Sequence, residues 1–150
     1  MEQKLVIPTP EQVEWSDCEL GVIIHLDMCT FSAPYNFREH FGDPIPAQEF
    51  APDNLDTDQW LAAAKSMGAK YAVLVAKHCT GFSLWPTDVH DYSVKNSPYK
   101  DGKGDIVGEF FASCKKYDIR PGLYYSASCN QYLNVDNPGT FRDHDPEKQK

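Results

Sequence analysis

Two histidines of this sequence each follow the end of an apolar segment. The segment at 71–77, YAVLVAK, leads directly into His78 and Cys79, and the segment at 20–24 leads into His25. An imidazole ring can both donate and accept a hydrogen bond, as can the hydroxyl groups of a sugar. A lone histidine after a strand is more often a packing residue, but several such residues together favour a shared binding role. We therefore predict a carbohydrate-binding site at these segment ends.

Three aromatic side chains extend this prediction. Tyr124 and Tyr125 belong to a third apolar segment, RPGLYYSAS, and their phenol groups can also bind hydroxyls. Because side chains alternate along a strand, one of the two tyrosines is expected to face the helices. Trp85 lies in the loop after His78 and can stack on the apolar face of a pyranose ring. The alternative for Trp85 is a loop anchor packed on the rim of the fold.

Two other chemistries would use some of the same residues. Four residues near the segment ends have side chains that can in principle ligate zinc: His25, Asp27, His78 and Cys79. The sequence has no HxH or HExxH spacing, so we predict no metal site and no cofactor. Cys79 beside His78 could suggest an activated thiol, but adjacent residues of a strand point to opposite faces. A thiol nucleophile is therefore not predicted.

Other titratable residues receive structural interpretations. The loop residues interpreted as solvated or structural are Asp27, Asp88, His90 and Asp91. The five cysteines have neither paired spacing nor a CxxC motif, which indicates reduced thiols rather than a disulfide framework.

The three apolar segments have the pattern of parallel strands. They lie at 20–29, at 71–77 and at 120–128, and they lack the alternation of a strand that faces water. Such runs are typical of strands covered on both faces. Helices are predicted between them, within 56–70 and within 104–122, because apolar residues recur there at helical spacing.

Both predicted helices carry start and stop signals, and the stop signal of the second is Pro121 beyond its end. Asp56 and Asp105 are suited to cap the two N-termini, and Gly68 suits the end of the first helix. The predicted inner face of the first helix is Trp60, Ala63, Ala64 and Met67. The predicted inner face of the second helix is Val107, Phe110, Phe111 and Cys114.

The alternation of strands and helices predicts an α/β fold of the (β/α)8 TIM-barrel type. The connections at 30–55 and 79–104 are long and rich in aromatic residues, proline and aspartate. In such barrels the loops after the strands build the active site. A complete barrel takes about 250 residues. We therefore expect residues 1–150 to be the N-terminal part of a catalytic barrel, supplying roughly its first three βα units.

The overall charge and hydropathy narrow the classes of partner. The net charge is −8, which argues against a nucleic-acid or anionic-membrane surface. No segment approaches the roughly 18 consecutive apolar residues that a membrane span needs. The N-terminus lacks the basic start and long apolar stretch of a signal peptide.

The order of these motifs resembles the N-terminal half of the catalytic barrel of family 29 α-L-fucosidases. The resemblance covers roughly residues 15 to 130 and rests on GVIIHLD, GAKYAVLVAKHCTGFSLWP and GDIVGEFFASCKKYDIRPGLYYS. It implies retaining hydrolysis of terminal α-L-fucosidic linkages, with fucosylated oligosaccharides or glycoconjugates as substrates. The implied nucleophile and acid/base carboxylates lie beyond residue 150, so no activity is expected from this segment alone. Because fucosylated glycans are mostly met outside the cytosol, the expected location is periplasmic or secreted.

The resemblance assigns the predicted site residues to a sugar-binding floor. His25, His78 and one of the two tyrosines would hold fucose hydroxyls. The sequence departs from the family pattern where Leu26-Asp27 replaces an aromatic residue and glycine, and where Cys79-Thr80 replaces histidine and aspartate. The Glu-Trp pair of the first long loop has no counterpart in YNFREHFGDPIPAQEF.

These departures keep two alternatives open. A thiol cannot replace the hydrogen bonds of an imidazole, so Cys79 is expected to change which sugar is bound or how tightly. The first alternative is a related hydrolase with altered sugar specificity, and the second is a barrel that binds glycans without cleaving them. A metal-dependent barrel is a third class, which tightly bound zinc in the purified protein would indicate.

Overall fold

Three parallel strands form the single sheet of the described residues. The computed structural model describes residues 6–32, 41–127 and 129–135. The strands lie side by side in chain order, and both pairs are parallel, which confirms the predicted α/β fold. Their bounds are β1 Gly21–Ile24, β2 Tyr71–Lys77 and β3 Arg120–Tyr125.

The two predicted helices are present and begin at the predicted caps. They are α2, Thr57–Ser66, and α3, Ile106–Tyr117. The Asp56 side chain accepts hydrogen bonds from the first-turn amides of α2, and Asp105 accepts one from the Gly108 amide. Gly68 follows α2 with φ of +88°, a left-handed conformation that ends helices and that glycine adopts without strain.

A short helix before β1 was not predicted. It is α1, Pro10–Ser16. The Thr9 hydroxyl accepts a hydrogen bond from the Gln12 amide at 3.3 Å, and the Gln12 side chain accepts one from the Thr9 amide at 2.8 Å. This reciprocal capping box, with proline in the first turn, was a readable signal in the sequence.

The inner faces of α2 and α3 differ from the predicted ones. The buried residues of α2 are Thr57, Leu61 and Ala64, whereas Ala63 and Met67 are exposed. The buried residues of α3 are Ile106, Phe110, Ser113 and Cys114, and Phe111 is exposed. The two helices also contact each other, through a 2.8 Å hydrogen bond between the Thr57 and Ser113 hydroxyls. The buried face therefore includes small polar residues, which apolar periodicity does not register.

The hydrophobic core lies between the helices and one face of the sheet. Leu74 of β2, Leu61 of α2 and Phe110 of α3 are fully buried there. The long loop after β2 belongs to the same core rather than to the surface. Its fully or almost fully buried side chains are Phe82, Leu84, Tyr92 and Val94. Residues that follow β2 are thus fixed by packing.

The opposite face of the sheet is open. Ile23 of β1 is 74% exposed, and its neighbours in register are Val73 of β2 and Gly122 of β3. The outer edges of β1 and β3 have no strand partner among the described residues.

Two further predictions concern membranes and cysteines. Among the described residues, no helix has the length and apolar character required to cross a membrane. No disulfide joins the five cysteines, all of which lie among the described residues; Cys18 and Cys114 are buried and Cys29 is exposed.

Candidate functional site

The parallel register brings His25 and His78 together. Ile24 at the end of β1 pairs with Leu74 of β2, so both strands run toward the same edge of the sheet. His25 directly follows β1 and His78 directly follows β2. Their rings meet edge-on, with centroids 4.6 Å apart and an interplanar angle of 64°. The two imidazoles therefore lie together at this edge of the sheet, and their shared role in sugar binding stays a prediction.

Tyr124 completes this group, which we call the His25–His78–Tyr124 cluster. The Tyr124 ring lies 5.9 Å from the His78 ring, measured between centroids. Tyr124 is 47% exposed, His25 is exposed, and the His78 side chain is 32% exposed. The cluster is therefore an accessible surface with three groups that can each donate or accept a hydrogen bond.

Asp27 is the buried acid beside the cluster. It is only 5% exposed, so it is not a solvated loop residue, although the structural part of its interpretation fits. One carboxyl oxygen, Oδ1, accepts a hydrogen bond from the Met28 amide at 2.8 Å and another from the Thr80 hydroxyl. The other oxygen, Oδ2, lies 3.8 Å from Nδ1 of His78. Asp27 thereby connects the chain after β1 to the chain after β2.

Burial shifts the pKa values of Asp27 and His78 toward their uncharged forms. It raises the pKa of the Asp27 carboxyl, although the hydrogen bonds from Thr80 and Met28 act in the opposite direction. It also lowers the pKa of His78, to which nearby His25 contributes, while Asp27 opposes it. Burial thus outweighs the mutual attraction of the two groups.

The two departures from the family pattern meet at this point. Asp27 follows β1 and Thr80 follows β2, 53 positions later, and their side chains share a hydrogen bond. The Thr80 hydroxyl in turn accepts a hydrogen bond from the Phe82 amide at 3.3 Å. The replaced positions therefore form one local network rather than two independent changes.

The remaining predicted site residues form a second group. The Cys79 sulfur lies 3.9 Å from the Ser126 hydroxyl, and the Trp85 and Tyr125 rings lie 6.4 Å apart. The ammonium of Lys77 lies 4.6 Å from the centre of the Tyr125 ring. Tyr124 and Tyr125 diverge as strand alternation requires, but both are exposed and neither belongs to the core. The structure therefore divides the six predicted residues into two neighbouring groups.

Lys77 is a residue that the sequence interpretation missed. It is 3% exposed at the end of β2, where the pairing with β3 shifts register, and it donates a hydrogen bond to the Ser126 carbonyl. Burial lowers the pKa of its ammonium group. A lysine that ends an otherwise apolar strand was the available signal. Its role here is to bind the two strand ends together.

Three residues of the site could hold a metal ion. The ligand atoms of His25, Asp27 and His78 all lie within 4.8 Å of one another. Cys79, the fourth residue considered for zinc, lies outside this group. Two imidazoles and a carboxylate suit a transition metal, so the donor set is chemically suitable even though no metal was predicted.

The loop after β2 is fastened to the turn after β3. The Gln131 amide donates to the Cys79 carbonyl at 2.8 Å, and the Tyr132 amide donates to the Thr80 carbonyl at 3.2 Å. Gly81 has φ of +89°, and a Cβ atom there would lie 2.3 Å from the Asn130 side-chain oxygen. The backbone that carries His78 and Thr80 is thus held from two sides.

The other loop acids and His90 are structural or solvated, as predicted. His90 lies 3.2 Å from the Ser83 hydroxyl and accepts a hydrogen bond from the Tyr92 amide. Asp88 is exposed and paired with Lys95, and Asp91 is also exposed. The first long connection includes residues 33–40, and the departure noted in YNFREHFGDPIPAQEF falls partly there, outside the described residues.

A polar cleft lies at the opposite end of the sheet, near the start of β3. It holds none of the predicted site residues, and its Arg120 guanidinium is paired with Glu14 at 2.5 Å. The lining residues are Glu14, Asp17, Cys18, Lys70, Asp118 and Arg120. We do not consider it a candidate for the sugar site, because the chemistry-bearing residues are at the other edge.

Comparisons with known proteins agree on one family. The sequence model of the Alpha-L-fucosidase family matches residues 9–150. Alpha-L-fucosidase 1 of Arabidopsis thaliana is 35% identical over 122 residues, which is 81% of this chain and 23% of that protein. Tissue alpha-L-fucosidase of Mus musculus is 34% identical over 139 residues, covering 75% of this chain and 29% of that protein. The chain thus spans less than a third of the length of these relatives.

A solved structure gives the same result. A Bacteroides thetaiotaomicron protein assigned to the alpha-L-fucosidases superposes with a TM-score of 0.82 and 42% sequence identity. The superposition covers 89% of this chain and 32% of that one.

Proposed function

The chain belongs to the alpha-L-fucosidase family, and from this premise we propose that the protein hydrolyses terminal α-L-fucosidic linkages in glycans. The proposed substrates are fucosylated oligosaccharides or glycoconjugates. Within this reaction, the described residues bind the sugar, and they do not supply the two catalytic carboxyl groups.

The observation that carries this proposal is the edge-on pair of His25 and His78. Two imidazoles with centroids 4.6 Å apart, both reachable from solvent and close to the Tyr124 phenol, present several donors and acceptors within one small area. A pyranose offers hydroxyl groups at similarly close spacing. Hydrogen bonds to these hydroxyls can strengthen as the oxocarbenium-like transition state forms, which would increase the rate.

We propose a retaining double displacement for the chemical step. Such enzymes use two carboxyl groups about 5–5.5 Å apart, one as nucleophile and one as acid/base. Asp27 is a poor candidate for either role because it is buried and Oδ1 already accepts two hydrogen bonds. By the resemblance to the family, we propose that both catalytic carboxylates lie beyond residue 150.

The proposal is tested by assaying the full-length protein on an aryl α-L-fucoside and on branched fucosylated oligosaccharides. We expect turnover with release of α-L-fucose as the first product, which NMR distinguishes from the β anomer. His78→Ala should reduce kcat/KM about 100-fold or more, since it removes a hydrogen-bonding group from the sugar site. His90→Ala is the matched control, because both ring nitrogens of His90 lie near partners within the protein. Absence of turnover on every fucoside would refute the activity.

A second candidate is a related hydrolase with altered sugar specificity. The observation that favours it is the Asp27–Thr80 hydrogen bond beside Cys79, which lies where the sequence departs from the family pattern. A panel of aryl glycosides of other deoxy- and L-configured sugars tests it. A preference for one of these over the fucoside would replace the leading proposal, and binding without any turnover would indicate a glycan-binding protein.

The fold and location belong to the same proposal. We propose that the open sheet is the first part of a (β/α)8 barrel, because the outer edges of β1 and β3 have no strand partner here and Ile23 is 74% exposed. An experimental structure of the full-length protein would test barrel closure. We also propose a periplasmic or secreted location, which fractionation of the source cells would test.

A further inference from the structure

The Asp27 carboxylate uses its two oxygens differently. Oδ1 accepts the hydrogen bonds from the Met28 amide and the Thr80 hydroxyl. Oδ2 is the oxygen that faces Nδ1 of His78, at 3.8 Å. An ionised carboxyl group can only accept hydrogen bonds. A neutral imidazole beside it is therefore most stable with its hydrogen on the facing nitrogen, Nδ1.

The direction of the network supports the same assignment. The Phe82 amide donates to the Thr80 oxygen at 3.3 Å, so the Thr80 hydroxyl is free to donate its own hydrogen to Asp27. Every hydrogen bond in this chain thus runs toward the carboxylate. The Asp27–His78 distance of 3.8 Å is longer than a hydrogen bond. Contacts of this kind in unliganded sites often shorten only when the ligand binds.

We propose that Asp27 is a positioning residue that holds His78 in the Nδ1–H tautomer, so that Nε2 accepts a hydrogen bond from a sugar hydroxyl. This inference rests on the proposed function, because it specifies how the same sugar-binding site recognises its ligand. The ligand class is a neutral sugar that presents a hydroxyl donor to His78. A sugar acid with its carboxylate at that position is rejected, since it has no hydrogen to donate and would lie near the Asp27 charge.

The first test reads the tautomer directly and needs no substrate. The full-length protein is labelled with ¹⁵N-histidine, and the His78 signals are assigned by comparison with His78→Gln. We expect Nδ1–H in the wild type. In Asp27→Asn the amide oxygen can keep the bonds from Met28 and Thr80, while its NH₂ group donates to Nδ1, so we expect Nε2–H. Nε2–H in the wild type, or no change in Asp27→Asn, would overturn the proposal.

The second test measures the binding of L-fucose by calorimetry in the same proteins. Asp27→Asn should weaken binding by about 10- to 100-fold. In that variant Nε2 of His78 carries a hydrogen, so it can no longer accept the hydrogen bond that the sugar hydroxyl donates in the wild type. Weakened binding without the change of His78 tautomer would mean a purely structural role for Asp27 and would count against the proposal.

Matched variants separate positioning from general destabilisation. Thr80→Val removes the hydroxyl that orients Asp27 and should weaken binding, whereas Thr80→Ser keeps the hydroxyl and should bind like the wild type. Thr57→Val removes an equally buried threonine hydroxyl from the helical layer and should leave binding unchanged. Equal losses in Thr57→Val and Thr80→Val would overturn the inference. If the wild type neither binds nor cleaves any fucoside, the proposed function fails, while the tautomer measurement still decides the role of Asp27.

Discussion

Two hydrogen-bond chains in this molecule each connect a buried threonine hydroxyl to an aspartate carboxylate, and they end differently. In the helical layer, the Thr57 hydroxyl contacts Ser113, Ser113 donates to Asp58, and Lys116 donates to the same carboxylate. At the strand ends, the Phe82 amide donates to Thr80, and Thr80 donates to Asp27, which faces a half-exposed imidazole. The first chain ends on a cation within the protein, and the second ends on a group that a ligand can reach.

The pKa values of the two aspartates are shifted in opposite directions. Hydrogen bonds from Lys116 and Ser113 lower the pKa of Asp58, whereas burial raises the pKa of Asp27. A carboxylate with its own counter-ion stabilises the folded state, and a buried one without a counter-ion destabilises it. The comparison suggests that Asp27 is kept for what it does to His78 rather than for stability.

Replacing Asp27 by leucine should have the largest effect on stability. The change leaves the Met28 amide and the Thr80 hydroxyl buried without an acceptor, and each loss costs about 1–3 kcal/mol. We expect the free energy of unfolding to fall by about 2–6 kcal/mol, measured by urea denaturation. Asp27→Asn keeps the acceptor and should change it by less than about 1 kcal/mol. Equal losses in both variants would show that the charge itself stabilises the fold.

Breaking the hydrogen-bond chain of the helical layer should reduce stability less and should leave sugar binding unchanged. Ser113→Ala leaves the buried Thr57 hydroxyl without its partner, which should lower the free energy of unfolding by about 1–3 kcal/mol. Binding of L-fucose should be unchanged, since this chain does not reach the site. A loss of binding in correctly folded Ser113→Ala would remove the distinction between the two chains.

The two carboxyl groups should respond to pH in opposite directions. Because the folded-state pKa of Asp27 is above 3.8, its contribution to stability grows as the pH falls toward 3.8 and is lost as the pH rises through the folded-state pKa. The folded-state pKa of Asp58 is below 3.8, so its contribution is present above that pH and is lost on further acidification. Both contributions to stability are measured by unfolding the wild type, Asp27→Asn and Asp58→Asn at a series of acidic pH values. The Asp27 comparison is made in a His78→Gln background, so that the titration of His78 does not contribute.

The exposed cation of the helical chain should matter least. Lys116→Met removes an ion pair that lies at the surface, where screening and side-chain entropy cancel most of the attraction. We expect no resolvable change in the midpoint of thermal unfolding at physiological salt. A clear decrease would mean that Ser113 and Asp58 depend on Lys116 for their positions.

The sequence predicted the part of the site that follows from topology. His25 and His78 directly follow parallel strands, and parallel strands end at the same edge of a sheet, so their proximity needed no side-chain detail. The helix caps Asp56 and Asp105 were equally local, since each acts on amides two or three residues away. Interactions of this range are encoded in short segments that can be read directly.

The parts that could not be predicted depend on contacts between distant segments. The burial of Asp27 follows from its contact with Thr80, 53 positions away, and no local pattern announces it. The predicted inner face of α2 lacked Thr57 because the hydrogen-bond partner of its hydroxyl, Ser113, belongs to another helix. The assignment of Cys79 and Trp85 to a group apart from the histidines likewise depends on the path of β3.

The fastening of the β2 loop to the turn after β3 has a consequence for protein engineering. Gly81 lies against Asn130, and the amides of Gln131 and Tyr132 donate hydrogen bonds to the carbonyls of Cys79 and Thr80, so the two segments are matched to each other. A chimera with a crossover between them would combine a loop and a turn of different ancestry. Donor fragments for recombination should therefore carry residues 79–81 and 130–132 together.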